Sequence, residues 1–185
     1  MEAVSGPARE FGRALAELAV EQDELAAIAR DLEGAREVLA PPEVKAFFAN
    51  PLIQRQAKLD LVEKLFAGRA TETFLRFLKV VVIRRRERLI REIIQQALYE
   101  CLARQGREVI FVTTSQPLDP GQTGPITQGL ASALGAGIYP EFRVNPNLLG
   151  GIIVRRGDQL LDASISGILR RLGELLAAGV TAGQR

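Results

Sequence analysis

The hydrophobic period of this chain changes once, near Gln105-Gly106, and that change limits the architectures open to it. Before it, apolar residues recur every three or four positions, the spacing that lines one face of a helix. Phe11, Leu15, Leu18 and Ala19 open the series, with Ser5 and Pro7 as start signals. From about Asp23, Leu25, Ile28, Ala29, Leu32, Ala35, Val38 and Leu39 form a second stripe, which Pro41-Pro42 stops. Glu43 to Ala49 predicts a short helix carrying Phe47 and Phe48, ended by Asn50-Pro51. Ile53 to Phe66, Thr71 to Ile83 and about Glu87 to Arg104 complete about six helices. Each pairs an apolar stripe with a charged back, so they are expected to pack as a bundle.

After Gln105-Gly106 the pattern is that of strands. Val109 to Thr113 reads as a buried strand, Pro117 to Gly124 as a loop, and Ile126 to Leu134 as a short helix ended by Gly135-Ala136-Gly137. Phe142 to Val144 is a short strand candidate, and Asn145-Pro146-Asn147 a turn. Leu148 to Arg155 is β-branched and broken by Gly150-Gly151, and Arg156-Gly157-Asp158 turns it back into Gln159 to Leu161. From Ile165 the period is helical again, with Ile165, Ile168, Leu169, Leu172, Leu175 and Leu176 on one face and Ser164 placed to cap it. Gly179 to Arg185 lacks apolar period and is expected to fray. The chain is therefore expected to be mainly α with a small α/β part. Residues 1–105 form a helical bundle, and residues 106–185 a strand-helix-hairpin-helix domain.

Composition narrows the chemistry. The 185 residues contain no His and a single Cys, so neither a Ser-His or Cys-His pair nor a tetrahedral metal site is expected, and no cofactor is called for. Cys101 sits on an apolar helical position and reads as a core residue of a reducing compartment. Net charge is +2, with 17 basic and 16 acidic residues before Gln105 and 7 and 6 after it, so neither part is a basic domain. No uninterrupted apolar segment approaches the ~20 residues a membrane helix needs; the longest candidate, Leu78 to Ile83, already carries Lys79 and runs into Arg84-Arg85-Arg86. The opening MEAVSGPARE lacks an apolar signal core, so a soluble, unexported chain is expected.

Three local features invite chemistry. Gly150-Gly151 suggests a phosphate cradle, but a β run rather than a helix follows it, and a bulge or close backbone approach explains it better. Asp158 and Asp162, near Arg155 and Arg156, would suit acid chemistry in a small enzyme with raised carboxylate pKa values, although turn formation and capping account for both. Arg84-Arg85-Arg86-x-Arg88, with Arg91, is a basic corner relieved only by Glu87. Nucleic acid is one reading of it, weakened by the lack of interleaved aromatic rings. An acidic protein segment or plain solvation is another.

A resemblance points further. Asn145-Pro146-x-x-x-Gly150-Gly151, then Arg155-x-Gly157-Asp158, Asp162-x-Ser164 and a Leu-rich helix resemble the C-terminal signature of the delta subunit family of F-type ATP synthases, which includes the mitochondrial oligomycin-sensitivity-conferring protein. Phe11-x-x-Ala14-Leu15, Asn50-Pro51 with Lys58, and Arg86 with Leu89 and Ile93 match the family's bundle more loosely. The resemblance implies a non-catalytic peripheral-stalk subunit that links the catalytic head to the stalk, holding the head as stator during rotary ATP synthesis. It implies that the N-termini of alpha subunits bind the bundle, with Phe11, Ala14, Leu15, Leu18, Leu75, Leu78 and Val82 as candidate contacts. It implies that b subunits bind the last helix, with Ile168, Leu172 and Leu176 as candidates, in each case by helix-in-groove docking. The implied location is the cytoplasmic face of the bacterial inner membrane, reached indirectly through the complex, or the plastid equivalent if a leader has been removed.

Overall fold

A computed structural model describes residues 5–135 and 137–182, except the side chains of Pro120 and of 175–182. The chain divides into two compact units, Met1–Gly106 and Arg107–Arg185.

Among the described residues the first unit holds six α-helices: α1 (Gly6–Glu21), α2 (Leu25–Val38), α3 (Pro42–Ala49), α4 (Arg55–Phe66), α5 (Glu72–Ile83) and α6 (Ile90–Arg104), with a 3-10 turn at Glu87–Leu89 before the last. The second helix starts at Leu25 rather than Asp23 because Asp23 takes a left-handed conformation, φ 57°. That geometry closes α1: the Glu24 amide bonds the Ala19 carbonyl at 2.9 Å and the Asp23 amide the Val20 carbonyl at 3.2 Å. The α6 helix is the axis of the unit, packed chiefly on α1 and α2. Its Ile93, Ile94, Ala97, Leu98, Cys101 and Leu102 are all buried, and a buried Leu or Ile side chain is worth about 1.5–3 kcal/mol. Gly12 lets α1 meet α6 backbone to backbone, since a Cβ there would lie 2.8 Å from the Ala97 nitrogen.

Two polar anchors fix the remaining helices. Thr71 caps α5 by accepting the Phe74 amide at 3.2 Å, while its own amide donates to Asp31 Oδ2 at 2.8 Å and ties α5 to α2. Lys58 is 3% exposed. Its Nζ donates to the Phe48 carbonyl at 2.8 Å and to Glu87 Oε1 at 2.9 Å, joining the end of α3, α4 and the 3-10 turn. A buried amine survives only with such partners, because an unpaired charge there would cost several kcal/mol, of order 3–5.

The second unit is a four-stranded sheet of order β2-β1-β3-β4, built from β1 (Glu108–Thr114), β2 (Ile138–Val144), β3 (Gly151–Arg156) and β4 (Gln159–Ser164). The α7 helix (Pro120–Leu134) crosses between the parallel β1 and β2, and α8 (Ile165–Ala182) follows β4 directly. Ile110, Val112, Ile138 and Val154 form the core on one sheet face, with Leu130, Ala131 and Leu134 of α7 against them. On β1 the alternate residue Phe111 carries Arg143 and Arg155 over its ring, at 4.0 and 4.9 Å from the centroid.

Two expectations are corrected here. Residues 120–124, expected in a loop, are the first turn and more of α7. Asp119 makes a capping box with Gln122, and Pro120 takes a first-turn position where its missing N–H costs nothing. The Pro and Gly that read as loop punctuation are a helix start. The α8 helix also runs on to Ala182, past the fraying expected from Gly179, because a lone glycine costs a helix only about 1 kcal/mol. Residues 183–185 lie outside the described residues.

Candidate partner-docking surfaces

The stretch from Asn145 to Gly167 sets how α8 leaves the sheet. Asn145 Oδ1 accepts the Asn147 amide at 3.1 Å, and the Asn145 carbonyl accepts the Leu148 amide at 3.0 Å, with Pro146 inside the turn. Gly157 and Asp158 form the two-residue hairpin loop between β3 and β4, and Gly157 has φ 55°. Gly151 has φ 81° and pairs with Ser164; a Cβ on it would come within 2.4 Å of the Ala163 carbonyl oxygen. The Gly150 carbonyl accepts the Ile165 amide at 3.1 Å. The glycine pair is thus a close approach of β3 to the β4–α8 junction, and no helix follows it to complete a phosphate cradle.

Ser164 is buried and caps α8, its Oγ accepting the Gly167 amide at 3.0 Å. Asp162 in turn holds Ser164, accepting its amide at 2.9 Å and its hydroxyl at 2.5 Å through Oδ1. The Ser164 hydrogen bonds, side chain first and then backbone, keep the Asp162 carboxyl below its ordinary range. An enzyme acid would need the opposite shift, and both contacts instead engage Asp162 in holding the Ser164 cap. Gly167, which carries no sequence signal of its own, leaves room for this arrangement: a Cβ there would sit 2.6 Å from the Asp162 carboxylate.

The α8 helix presents an open apolar face. Ile165, Ile168, Leu169 and Leu172 are each 46–58% exposed, and Leu160 and Leu161 on the edge strand β4 are more than half exposed. Ile168 and Leu172 therefore lie where a partner can reach them, together with Ile165 and Leu169 on the same helical stripe. Leu176, the third candidate, lies outside the described side chains.

On the bundle, the candidates divide. Phe11, Leu18 and Leu75 are half-buried and Ala14 is exposed, along α1 and α5. These two helices are linked by Phe11 against Phe77, ring centroids 6.3 Å apart, and by Thr73 Oγ1 donating to Gln22 Oε1 at 2.6 Å. Leu15, Leu78 and Val82 are buried in the bundle core and have no exposed side chain to offer a partner. A helical stripe marks the inward face but not where its edge falls, so core and rim residues look alike in the sequence.

The comparisons with known proteins agree with this architecture. Residues 8–176 match the family model described as ATP synthase delta (OSCP) subunit. The ATP synthase subunit delta of Heliobacterium modesticaldum is 33% identical over 91% of this chain and 92% of its own, and that of a Synechococcus strain 35% identical over 76% and 77%. In a structure of the Toxoplasma gondii mitochondrial ATP synthase hexamer, one chain shares the fold with a TM-score of 0.68 and 22% identity, over 94% of this chain and 98% of that one. No described helix is long and apolar enough to cross a membrane. With a match that spans nearly the whole chain, this protein belongs to the ATP synthase delta (OSCP) subunit family, a component of the peripheral stalk of the F-type ATP synthase.

Proposed function

We propose that the two units bind different neighbours, the bundle receiving the N-terminal helices of alpha subunits and α8 receiving the b subunits, so that head and stalk are tied without any chemistry in this chain. The open face of α8 carries this reading. Four half-exposed apolar side chains within eight residues, Ile165, Ile168, Leu169 and Leu172, are more than a solvated helix needs. A partner helix laid along them in i, i+3, i+4 register would bury them together. On the bundle, the alpha contact narrows to the accessible Phe11, Ala14, Leu18 and Leu75, with Leu15, Leu78 and Val82 fixing the spacing of α1 and α5 beneath. The reading puts the chain on the cytoplasmic face of a bacterial inner membrane, held there by its neighbours.

Calorimetry on the full chain tests both contacts. Leu172→Asp is expected to weaken binding of a peptide from the C-terminal end of the cognate b chain at least about tenfold, since one lost apolar contact is worth about 1.5 kcal/mol and a buried charge more. Leu18→Asp is expected to weaken binding of the cognate alpha N-terminal peptide similarly while sparing the b contact. Failure of the wild-type chain to bind either peptide would remove the corresponding half of the proposal.

A further inference from the structure

The corner between α5 and α6 carries charge that the fold does not use. Arg84, Arg85, Arg86, Arg88 and Arg91 are all exposed, and none makes an ion pair among the described residues. Several basic side chains elsewhere on the bundle surface are matched, Arg13 with Glu17, Arg76 with Glu72, Lys79 with Glu63 and Arg104 with Glu100, and no other part of the bundle sequence places five arginines within eight residues. The one carboxylate inside the corner, Glu87, is turned inward onto Lys58 at 2.9 Å. Part of the positive charge complements the carbonyl end of α5, but a helix terminus supplies only about half an elementary charge against five guanidiniums.

The backbone fixes the cluster in place. The Arg86 amide bonds the Val81 carbonyl at 2.9 Å and the Arg85 amide the Val82 carbonyl at 3.0 Å, which is the closing motif that normally places glycine at the left-handed position. Here that residue is Arg85, with φ 58°. A charged side chain is thus held where a glycine would be less strained. Beside it, Val80 and Ile83 on the last turn of α5 are 44% and 50% exposed, an apolar step next to the charges. The corner contains no aromatic ring to stack a base.

From this geometry we infer that the α5–α6 corner receives an acidic, partly apolar peptide segment of the catalytic head, its carboxylates on the arginines and an apolar side chain on Val80 and Ile83. The inference rests on the reading that the bundle faces the head, because α5 lines the proposed alpha contact and ends at this corner. Exposed charges of this kind act mainly on the association rate and on its salt dependence.

The test uses the full chain and the cognate catalytic head prepared without this subunit, with affinity and association rate measured from about 25 to about 300 mM salt, where screening shortens from ~20 Å to under 10 Å. The triple variant Arg84→Gln/Arg86→Gln/Arg88→Gln is expected to bind at least about tenfold more weakly at low salt and to flatten the salt slope. The corresponding triple lysine variant, which keeps the charge, is expected to retain most of both. Helical circular dichroism verifies that these exposed substitutions leave the bundle folded. Wild-type affinity and slope in the glutamine variant would overturn the inference while leaving the alpha groove standing. Salt-dependent head binding that needs the arginines but persists in Leu18→Asp, with no binding of the alpha peptide, would instead reject the groove and keep the corner. Phosphatidylglycerol vesicles and a single-stranded oligonucleotide are run alongside; losses confined to either would overturn the inference in favour of lipid or nucleic acid.

Discussion

The two units reach stability by different means. The bundle closes on itself: α6 is wrapped by α1 and α2, and its inward side chains are buried along its whole length. Among the described residues the second unit has four buried apolar residues in its core, and the apolar face of its last helix is open as far as Leu172. What holds α8 at its root is backbone geometry, namely the Gly150 and Gly151 approach, the Ser164 cap and the Asp162 bracket. One unit is specified by volume, the other by a few close contacts. An apolar face left open on α8 cannot also fill the unit's own core.

The largest effect should come from the bundle. Leu98→Ala is expected to destabilise the first unit by about 3 kcal/mol, as a cavity at a wholly buried site does, while the amide protection of the sheet is unchanged. Cys101 reports the event. It is buried, and desolvation pushes its thiol up to about 11, so the folded chain should resist alkylation that the unfolded chain undergoes readily. Loss of sheet protection in the same variant would show that the units do not stand apart.

Next, Gly151→Ala should cost the second unit about 2 kcal/mol and leave the bundle intact, because the position is left-handed and has no room for a Cβ. Differential hydrogen exchange across β3, β4 and α8 would register it. Intact exchange protection there would mean that packing, not the glycine approach, fixes the helix root.

A smaller effect, about 1 kcal/mol, is expected for Ser164→Ala, read as faster amide exchange in the first turn of α8. The same substitution removes the principal cause of the lowered Asp162 pKa, so its carboxyl titration by NMR should move up toward the ordinary range. The sign for stability follows. A carboxyl whose folded pKa is depressed stabilises the fold above its unfolded value, and that contribution is lost as pH falls through the depressed folded value. The acid-side loss of α8 order should therefore shrink in Ser164→Ala. Smallest of all, and opposite in sign, Arg85→Gly is expected to stabilise the bundle by about 0.5–1 kcal/mol through relief of its left-handed conformation.

How much of this was legible in the sequence follows the same division. Helical periodicity located all six bundle helices, since each stripe is a run of local spacings, and Ser164 was legible as a cap because it stands just before the first residue of a stripe. The start of α7 was not, because its Asp, Pro and Gly carry the same letters in a turn and in a capped helix, and only the Asp119–Gln122 reciprocity distinguishes them. Nor was the division of Leu15, Leu78 and Val82 from Phe11, Leu18 and Leu75, which depends on how neighbouring helices cross. Gly12 and Gly167 are silent in the sequence for the same reason: their importance lies in what approaches them from elsewhere in the chain.

The burial of Cys101 has a consequence for a machine driven by proton flow. With that thiol pushed up to about 11, and with no histidine anywhere in the sequence, the chain lacks any residue type whose usual ionisation falls between about pH 5 and 8. Moderate changes of pH on either side of the membrane would then find no histidine or reactive thiolate in this chain through which to alter its charge.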